Sequence, residues 1–476
     1  MMQNDAQRKF GIRDKLGYMF GDFGNDFFFL FASSFLMVFY TKVLGIDPAE
    51  VGTLFLIARL VDAFTDITMG RIVDVSRPTK NGKFRPWILR MCVPVVIAGT
   101  LLFVPWVAKL SLGWRRVYIY ATYLLWGSFC YTAINIPYGS MASAITKDPV
   151  ERSGLSTFRS IGAALAGIII NSGVPLVIYR YDKAGNQLVI PERFFYLAVL
   201  FAAAALICYL LCYGMVRERV TFGNKKDAAS RENGTEENRG IGRTLLDLTR
   251  NRALIAIIAA AIVLLLATLF TQSMNVYLYM DYFRNNSALS AVGFFGTAVT
   301  LLLAPFASSI VKNIGKKEAS AAAVLFAAGV YFVLYALRLK NPWMFCLFVA
   351  IGSLGSGLFN LLIWAFITDV IDYQEILTGS RSDGTVYALY SFARKLGQAL
   401  AGGLGGWILA AIGYQSSVAG ETIVQTDAVV NAIYSVATLA PGICYLIVGL
   451  ILLWWYPLGK KKVRENYERL NGDGHI

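Results

Sequence analysis

The 476-residue chain contains one histidine, His475, next to its last residue. Histidine-based acid–base catalysis and histidine metal ligation are therefore absent from every apolar segment. Charge is scarce as well: Asp, Glu, Lys and Arg make up 16% of the residues, against about 25% in ordinary soluble domains. The six cysteines (Cys92, Cys130, Cys208, Cys212, Cys346 and Cys444) all fall within apolar runs. That placement fits packed thiols, not a disulfide framework or a zinc site. No H-E-x-x-H, P-loop or grouped nucleophile appears, which leaves little room for an enzyme.

What fills the chain is apolar. Hydrophobic residues reach 56% and the mean hydropathy is +0.54. Apolar runs recur along nearly the whole length, each close to the roughly 20 residues that span a bilayer. Twelve such runs predict an all-α membrane protein with both termini on one side. Of the 44 Lys and Arg, 29 lie at the termini and in the loops of that side and 10 in the opposite loops. By the positive-inside rule both termini face the cytoplasm, with the cytoplasmic membrane as location. The net charge of +14 is thus an orientation signal that calls for no nucleic-acid partner. The polar, basic start MMQNDAQRKFGIRDK shows no cleavable signal.

The longest polar stretch divides the chain nearly in half. The expected organisation is a cytoplasmic N-terminus (1–15), a six-helix bundle (16–216), a linker (217–252), a second bundle (253–457) and a cytoplasmic tail (458–476). The end of the linker, IGRTLLDLTRNR, has the pattern of a short amphipathic surface helix. The halves are related: RSIGAALAG (159–167) and RKLGQALAG (394–402) both fit R-x-x-G-x-A-L-A-G, in the fifth and eleventh spans. SSIVKNIGKK after span eight loosely echoes the loop GRIVDVSRPTKNGKFRPW after span two. Two pseudo-symmetric, parallel six-helix halves describe the major facilitator fold.

Within this apolar frame a few polar residues stand out. LIARLVDAFTDITMG places Arg59, Asp62, Thr65 and Asp66 on consecutive turns of the second span. A charge at the bilayer centre costs roughly 2.5–3.5 kcal/mol on insertion scales. Residues four apart stand about 40° apart on a helix, so both aspartates share a face with Arg59. Two carboxylates so close share a proton, bind a cation or pair with Arg59. The charge count leaves one negative charge, a seat for one H⁺ or Na⁺. GDFGNDFFF repeats the spacing with Asp22 and Asp26; Asp22 is placed near the cytoplasmic mouth with no role assigned. CYTAINIPYGS offers Tyr131, Thr132 and Asn135 beside a helix-breaking Pro137. Arg159 and Arg394–Lys395 put cations on apolar helices of both halves, suited to an anionic or polyhydroxylated substrate. ITDVIDYQEILTGSRSDG, with Asp369, Asp372 and Arg381, reads as a charged cytoplasmic gate, matched in the first half by Arg85 of GKFRPW.

Together GDFGNDF, GTLFLIARLVDAFTD, GKFRPW, CYTAINIPYGSMA, DYQEILTGSRSDG and SFARKLGQALAGG give a chain that resembles the glycoside–pentoside–hexuronide:cation symporters, from about residue 14 to 462. NIPYGSMASAIT, FARKLGQALAGG and WWYPLGKKK make it look most like the glucuronide carriers. The resemblance implies secondary active transport by alternating access, with no cofactor beyond the coupling ion, by a protein functional as a monomer. It implies cation binding by Asp62, Asp66, Thr65 and Thr132. It implies substrate binding by Asp26, Tyr131, Asn135, Arg159, Ser391 and Lys395. Melibiose-permease-like members carry asparagine at Thr65, aspartate at Asn135, tryptophan at Gly139 and threonine at Ser391. A site with less negative charge and more room favours an anionic or bulkier glycoside over melibiose, and leaves H⁺ and Na⁺ both open. The alternatives are an amphipathic lipid as cargo and, more remotely, a membrane enzyme or receptor.

Overall fold

The computed structural model describes residues 8–146, 148–181, 187–220, 251–378, 383–418 and 423–471. The interior of the linker, with most of its expected amphipathic helix, lies outside them. Two compact units form. One spans Met1–Thr235 with Gln415–Val424; the other spans Glu236–Tyr414 with Gln425–Ile476.

The first unit holds α1 (Ile12–Lys42), α2 (Pro48–Val75), α3 (Arg85–Leu101) and α6 (Pro191–Met215). Between them, α4 runs from Leu112–Leu124 through a π-helical stretch, Leu125–Tyr131, into Thr132–Ile145. Helix α5 runs from Pro149–Ile168 through a second π-helical stretch, Ile169–Gly173, into Val174–Ile178. A short antiparallel hairpin, β1 (Tyr179–Tyr181) with β2 (Gln187–Val189), joins α5 to α6 in the register Tyr179↔Val189. The second unit holds α7 (Arg252–Tyr282), α8 (Asn286–Ile314), α9 (Lys316–Leu337), α10 (Pro342–Thr378), α11 (Asp383–Ala411) and α12 (Asp427–Trp455). A further helix, α13 (Lys460–Asn471), follows in the tail and packs on α9 and α10.

Local chemistry starts these helices. Asp47 caps α2, accepting the Ala49 N–H at 2.9 Å, and Pro48 takes the first helical position. Glu218, far along the chain, accepts the backbone N–H groups of Lys83, Phe84 and Arg85 at 2.7, 2.9 and 2.7 Å, so a carboxylate sits on the positive end of α3. Asp14 at the start of α1 is fully buried between Arg8 (2.6 Å) and Arg219 (2.8 Å).

Packing repeats with an offset of six helices. In the first unit α1 lies against α5 and α6, α3 against α4 and α6, and α2 against α4. In the second, α7 lies against α11 and α12, α9 against α10 and α12, and α8 against α10. The shared R-x-x-G motif marks one of these contacts. A Cβ on Gly162 would stand 2.8 Å from Met19 O on α1, and one on Gly397 would stand 3.2 Å from Ile262 O on α7. Both glycines let helices approach backbone to backbone. The first unit's core is aromatic: Phe31 stacks on Phe103 with ring centroids 4.1 Å apart and meets Phe201 at 5.3 Å. Outside, Phe64, Leu302 and Trp454 are each at least 70% exposed, a surface suited to lipid.

Among the described residues, eight helical stretches are long and apolar enough to cross a membrane. The expectation of twelve exceeds that number by α2, α3, α4 and α11. The shortfall has physical causes. Helix α2 carries Arg59, Asp62, Asp66 and Arg71; α3 has 17 residues; α4 is rich in Tyr, Ser and Gly; α11 carries Arg394 and Lys395 among several glycines. Each of these four holds a polar residue singled out from the sequence: Asp62 and Asp66 on α2, Arg85 on α3, Thr132 on α4 and Lys395 on α11.

Candidate functional site

The site grows from the contact of α2 with α4. Asp62 Oδ1 accepts the Ser128 hydroxyl at 2.5 Å, and Asp66 Oδ1 accepts the Thr132 hydroxyl at 2.9 Å. Ser128 and Thr132 are four apart, as are Asp62 and Asp66. Two acceptor–donor pairs therefore face each other in register, one turn apart. Arg59 Nη1 lies 3.2 Å from Asp62 Oδ2, and its guanidinium covers the Phe29 ring at 5.7 Å. Thr65 Oγ1 turns back to its own helix and donates to Asp62 O at 3.2 Å. Thr132 also donates to Gly127 O at 3.3 Å. The Asp62 carboxylate is buried and Asp66 half-buried. The result is a compact set of carboxylate and hydroxyl oxygens with one arginine, a donor chemistry that fits a proton or a small hard cation. Among the described residues, no group of three or more His, Cys, Asp or Glu side chains converges to hold a metal ion.

A second constellation lies on α1, α4 and α5. Asp22 is buried and its Oδ1 accepts from Arg159 Nε at 2.9 Å. The guanidinium of Arg159, whose side chain is 43% exposed, also lies over the Tyr138 ring at 5.4 Å. It is the half-open partner of a buried acid, which leaves donors to meet a ligand. Asp26, one turn along α1, is half-buried and within electrostatic reach of Asp22 and Arg159. Tyr131 stacks on Phe29 at 6.0 Å and packs on Trp126 at 5.5 Å. Asn135 Oδ1 accepts from Asn25 Nδ2 at 3.3 Å, while Asn25 Oδ1 accepts the Tyr209 hydroxyl at 2.9 Å. The single arginine Arg159 and the chain Asn135–Asn25–Tyr209 thus tie α1, α4, α5 and α6 together through polar side chains.

In the second unit, Lys395 is half-buried on α11, and its neighbour Arg394 lines a cavity of about 50 Å³ with Asn360 and Tyr390. The side chain of Ser391 and all of Arg381 lie outside the described residues. Asp369 pairs with Lys316 at 2.7 Å, a lysine in the SSIVKNIGKK echo, and Asp372 follows on the same helix. Arg85 is buried and donates to Tyr213 O at 2.5 and 3.1 Å, with its guanidinium 4.6 Å from the Tyr213 ring. The two loops that look alike in sequence thus use their cations differently.

Ser128, Asn25 and Tyr209 were not picked out from the sequence. Ser128 carries one detectable signal: it stands four before Thr132, the spacing of the two aspartates. Asn25 is masked by the flanking Asp22 and Asp26, and Tyr209 by an apolar helix.

The family description MFS/sugar transport protein matches residues 17–460. The chain belongs to that family. The glucuronide carrier protein homolog of Escherichia coli (strain K12) is 32% identical over 460 residues, covering 95% of this transporter and 94% of that protein. The uncharacterized symporter YjmB of Bacillus subtilis (strain 168) is 28% identical over 457 residues, covering 95% and 94%. The crystal structure of a D-xylose-proton symporter superposes with a TM-score of 0.63 at 11% identity, covering 94% of this chain and 97% of that one, a likeness of fold. The kinship with glycoside–pentoside–hexuronide:cation symporters expected from the motifs therefore extends over nearly the whole chain. The protein is a multi-pass, all-α membrane transporter of the major facilitator fold, and transport, not catalysis, is its activity.

Proposed function

We propose that this transporter moves a small polar solute, specifically a glycoside such as a glucuronide or a related sugar or oligosaccharide, together with H⁺ or Na⁺ by alternating access. The observation that carries the reading is the registered pairing of Asp62 with Ser128 and Asp66 with Thr132 beside the Asp22–Arg159 pair. The oxygens on α2 and α4 hold the coupling ion, with Thr65 close by. Asp26, Tyr131, Asn135, Arg159, Ser391 and Lys395 are the residues proposed to bind the glycoside. Carboxylate and amide oxygens accept from sugar hydroxyls, and the cations of Arg159 and Lys395 suit a carboxylated sugar. Arg59 is the charge partner of the ion site; Arg85, Asp369, Asp372 and Arg381 act at the gates. Helices α2, α3, α4 and α11 are taken as spans too. That makes twelve in two bundles of six, 16–216 and 253–457, with a cytoplasmic linker and both termini cytoplasmic in the cell membrane. The glucuronide carrier homolog, at 32% identity, supports the substrate class.

The test is uptake by purified protein in liposomes, with p-nitrophenyl β-glucuronide, p-nitrophenyl β-glucoside and melibiose offered in parallel and the pH and Na⁺ gradients imposed separately. The glucuronide should be taken up best, and one gradient should drive it above equilibrium. Uptake of every glycoside that ignores both gradients would overturn the proposal.

A further inference from the structure

The end of α12 gathers positive charge that the proposed transport cycle leaves unused. The helix closes on a π-helical stretch, Ile451–Trp455, whose Trp454 and Trp455 are exposed. Exposed indoles at the end of an apolar span sit at the level of the lipid headgroups.

Neighbouring elements of the second unit bring cations to this point. Arg252 opens α7, and its Nη2 donates to Trp454 O at 3.5 Å. Lys317, in the first turn of α9, donates from Nζ to Tyr456 O at 2.6 Å. Both cations therefore stand at the level of the indoles. Lys460 opens α13 and donates from Nζ to Asn313 O at 2.8 Å, beside the exposed Lys312 at the end of α8. Lys461 is exposed, and the side chains of Lys462 and Arg464 are 43% and 73% exposed.

The bonds to carbonyls satisfy donors without cancelling charge. Nearby acids cancel only part of it. Glu318 accepts the Lys460 N–H at 3.3 Å, and Glu465 and Glu468 pair with Lys462 and Arg464 at 3.3 and 2.9 Å. The last two pairs are open to solvent, where an ion pair contributes little. Lys316 is spent on Asp369. With that pair and Asp372 included, eight Lys and Arg stand against five Asp and Glu. A cationic surplus immediately beyond a span attracts anionic headgroups. The indoles beside it favour a lipid over a soluble polyanion, which has no use for an aromatic pair at membrane level.

We infer that this patch is a docking surface for the phosphate groups of anionic phospholipid, such as phosphatidylglycerol, in the leaflet that borders the end of α12. On the orientation proposed above, that is the cytoplasmic leaflet. The bound headgroups hold α13 against the bilayer.

Hydrogen–deuterium exchange of the full-length protein in nanodiscs reads the contact locally, through the amides of α13. One nanodisc contains phosphatidylcholine alone, and the other about one third phosphatidylglycerol. The anionic lipid should slow exchange in α13 about fivefold or more. The slowing should fade between about 0.05 and 0.5 M NaCl, as the screening length shortens. It should vanish when Lys461→Gln, Lys462→Gln and Arg464→Gln are combined, since each cation near an anionic surface strengthens binding about fivefold. Removing two exposed cations of the α2–α3 loop, Arg77→Gln with Lys80→Gln, should leave it intact. If the triple variant does not fold, the salt titration of the wild type decides. Equal exchange in the two nanodiscs, slowing that ignores salt or survives the triple variant, loss of slowing in the loop variant, or equal slowing by inorganic phosphate in phosphatidylcholine alone would each overturn the inference. Both leaflets of a nanodisc carry the lipid, so the result is separate from the orientation and from the solute carried.

Discussion

At the scale of single residues, the proposed ion site rests on oxygens whose partners are now explicit. Ser128 donates to Asp62 at 2.5 Å, and a hydrogen bond to a charged group contributes about 1.5–3 kcal/mol. Ser128→Ala should therefore shift the cation concentration for half-maximal uptake about tenfold or more, upward if Na⁺ couples and an oxygen is lost, downward if H⁺ couples and the donor that favoured the ionised carboxylate is lost, and Ser128→Thr should restore much of the wild-type midpoint. Cation titrations of uptake check this; an unchanged midpoint in the alanine variant would remove Ser128 from the site. Much of this site was legible. The shared face of Asp62 and Asp66 follows from their i, i+4 spacing, and Thr132 from the family resemblance. The position of Ser128 was not, because it lies inside the π-helical stretch Leu125–Tyr131, where the residue-per-turn count differs. Nor does spacing reveal that the Thr65 hydroxyl turns onto its own backbone.

At the scale of elements, long-range contacts set what sequence patterns leave open. The start of α3 is held by Glu218, more than 130 residues away in the chain. No local signal announces such a cap. Glu218→Ala strips a charged acceptor from three N–H groups and should cost about 1–2 kcal/mol, seen as a lowered thermal midpoint in detergent. Glu218→Gln should lose less, since its carbonyl still accepts. A different element was legible as a repeat, and the structure gives it a packing role. The R-x-x-G repeat marks a close helix crossing, and Gly162→Leu, which drives a side chain toward Met19 O, should abolish folding or assembly of the first unit. Expression and gel-filtration profiles of that variant, against Gly173→Leu, where a Cβ meets nothing within 4 Å, provide the measurement. The amphipathic helix α13 escaped notice because its charges, KKKVRENYER, read as a solvated tail.

At the scale of the whole molecule, composition already excluded histidine chemistry and pointed to a multi-pass helical protein. The repeated packing, α1 with α5 and α6, then α7 with α11 and α12, gives the motif repeat its structural meaning. The helices that fall short of membrane hydropathy include those that carry Asp62, Thr132 and Lys395, so the deficit traces to polar residues proposed for coupling and binding. If the ion and the glycoside are coupled, each must tighten the other by the same factor. The most direct test is glucuronide accumulation in liposomes under an imposed inward cation gradient, comparing wild type with Asp62→Asn. The wild type should concentrate the sugar, while the variant should only equilibrate it and keep sugar exchange. Accumulation by Asp62→Asn to the wild-type level, under the same gradient, would contradict the assignment of the α2 carboxylates to energy coupling.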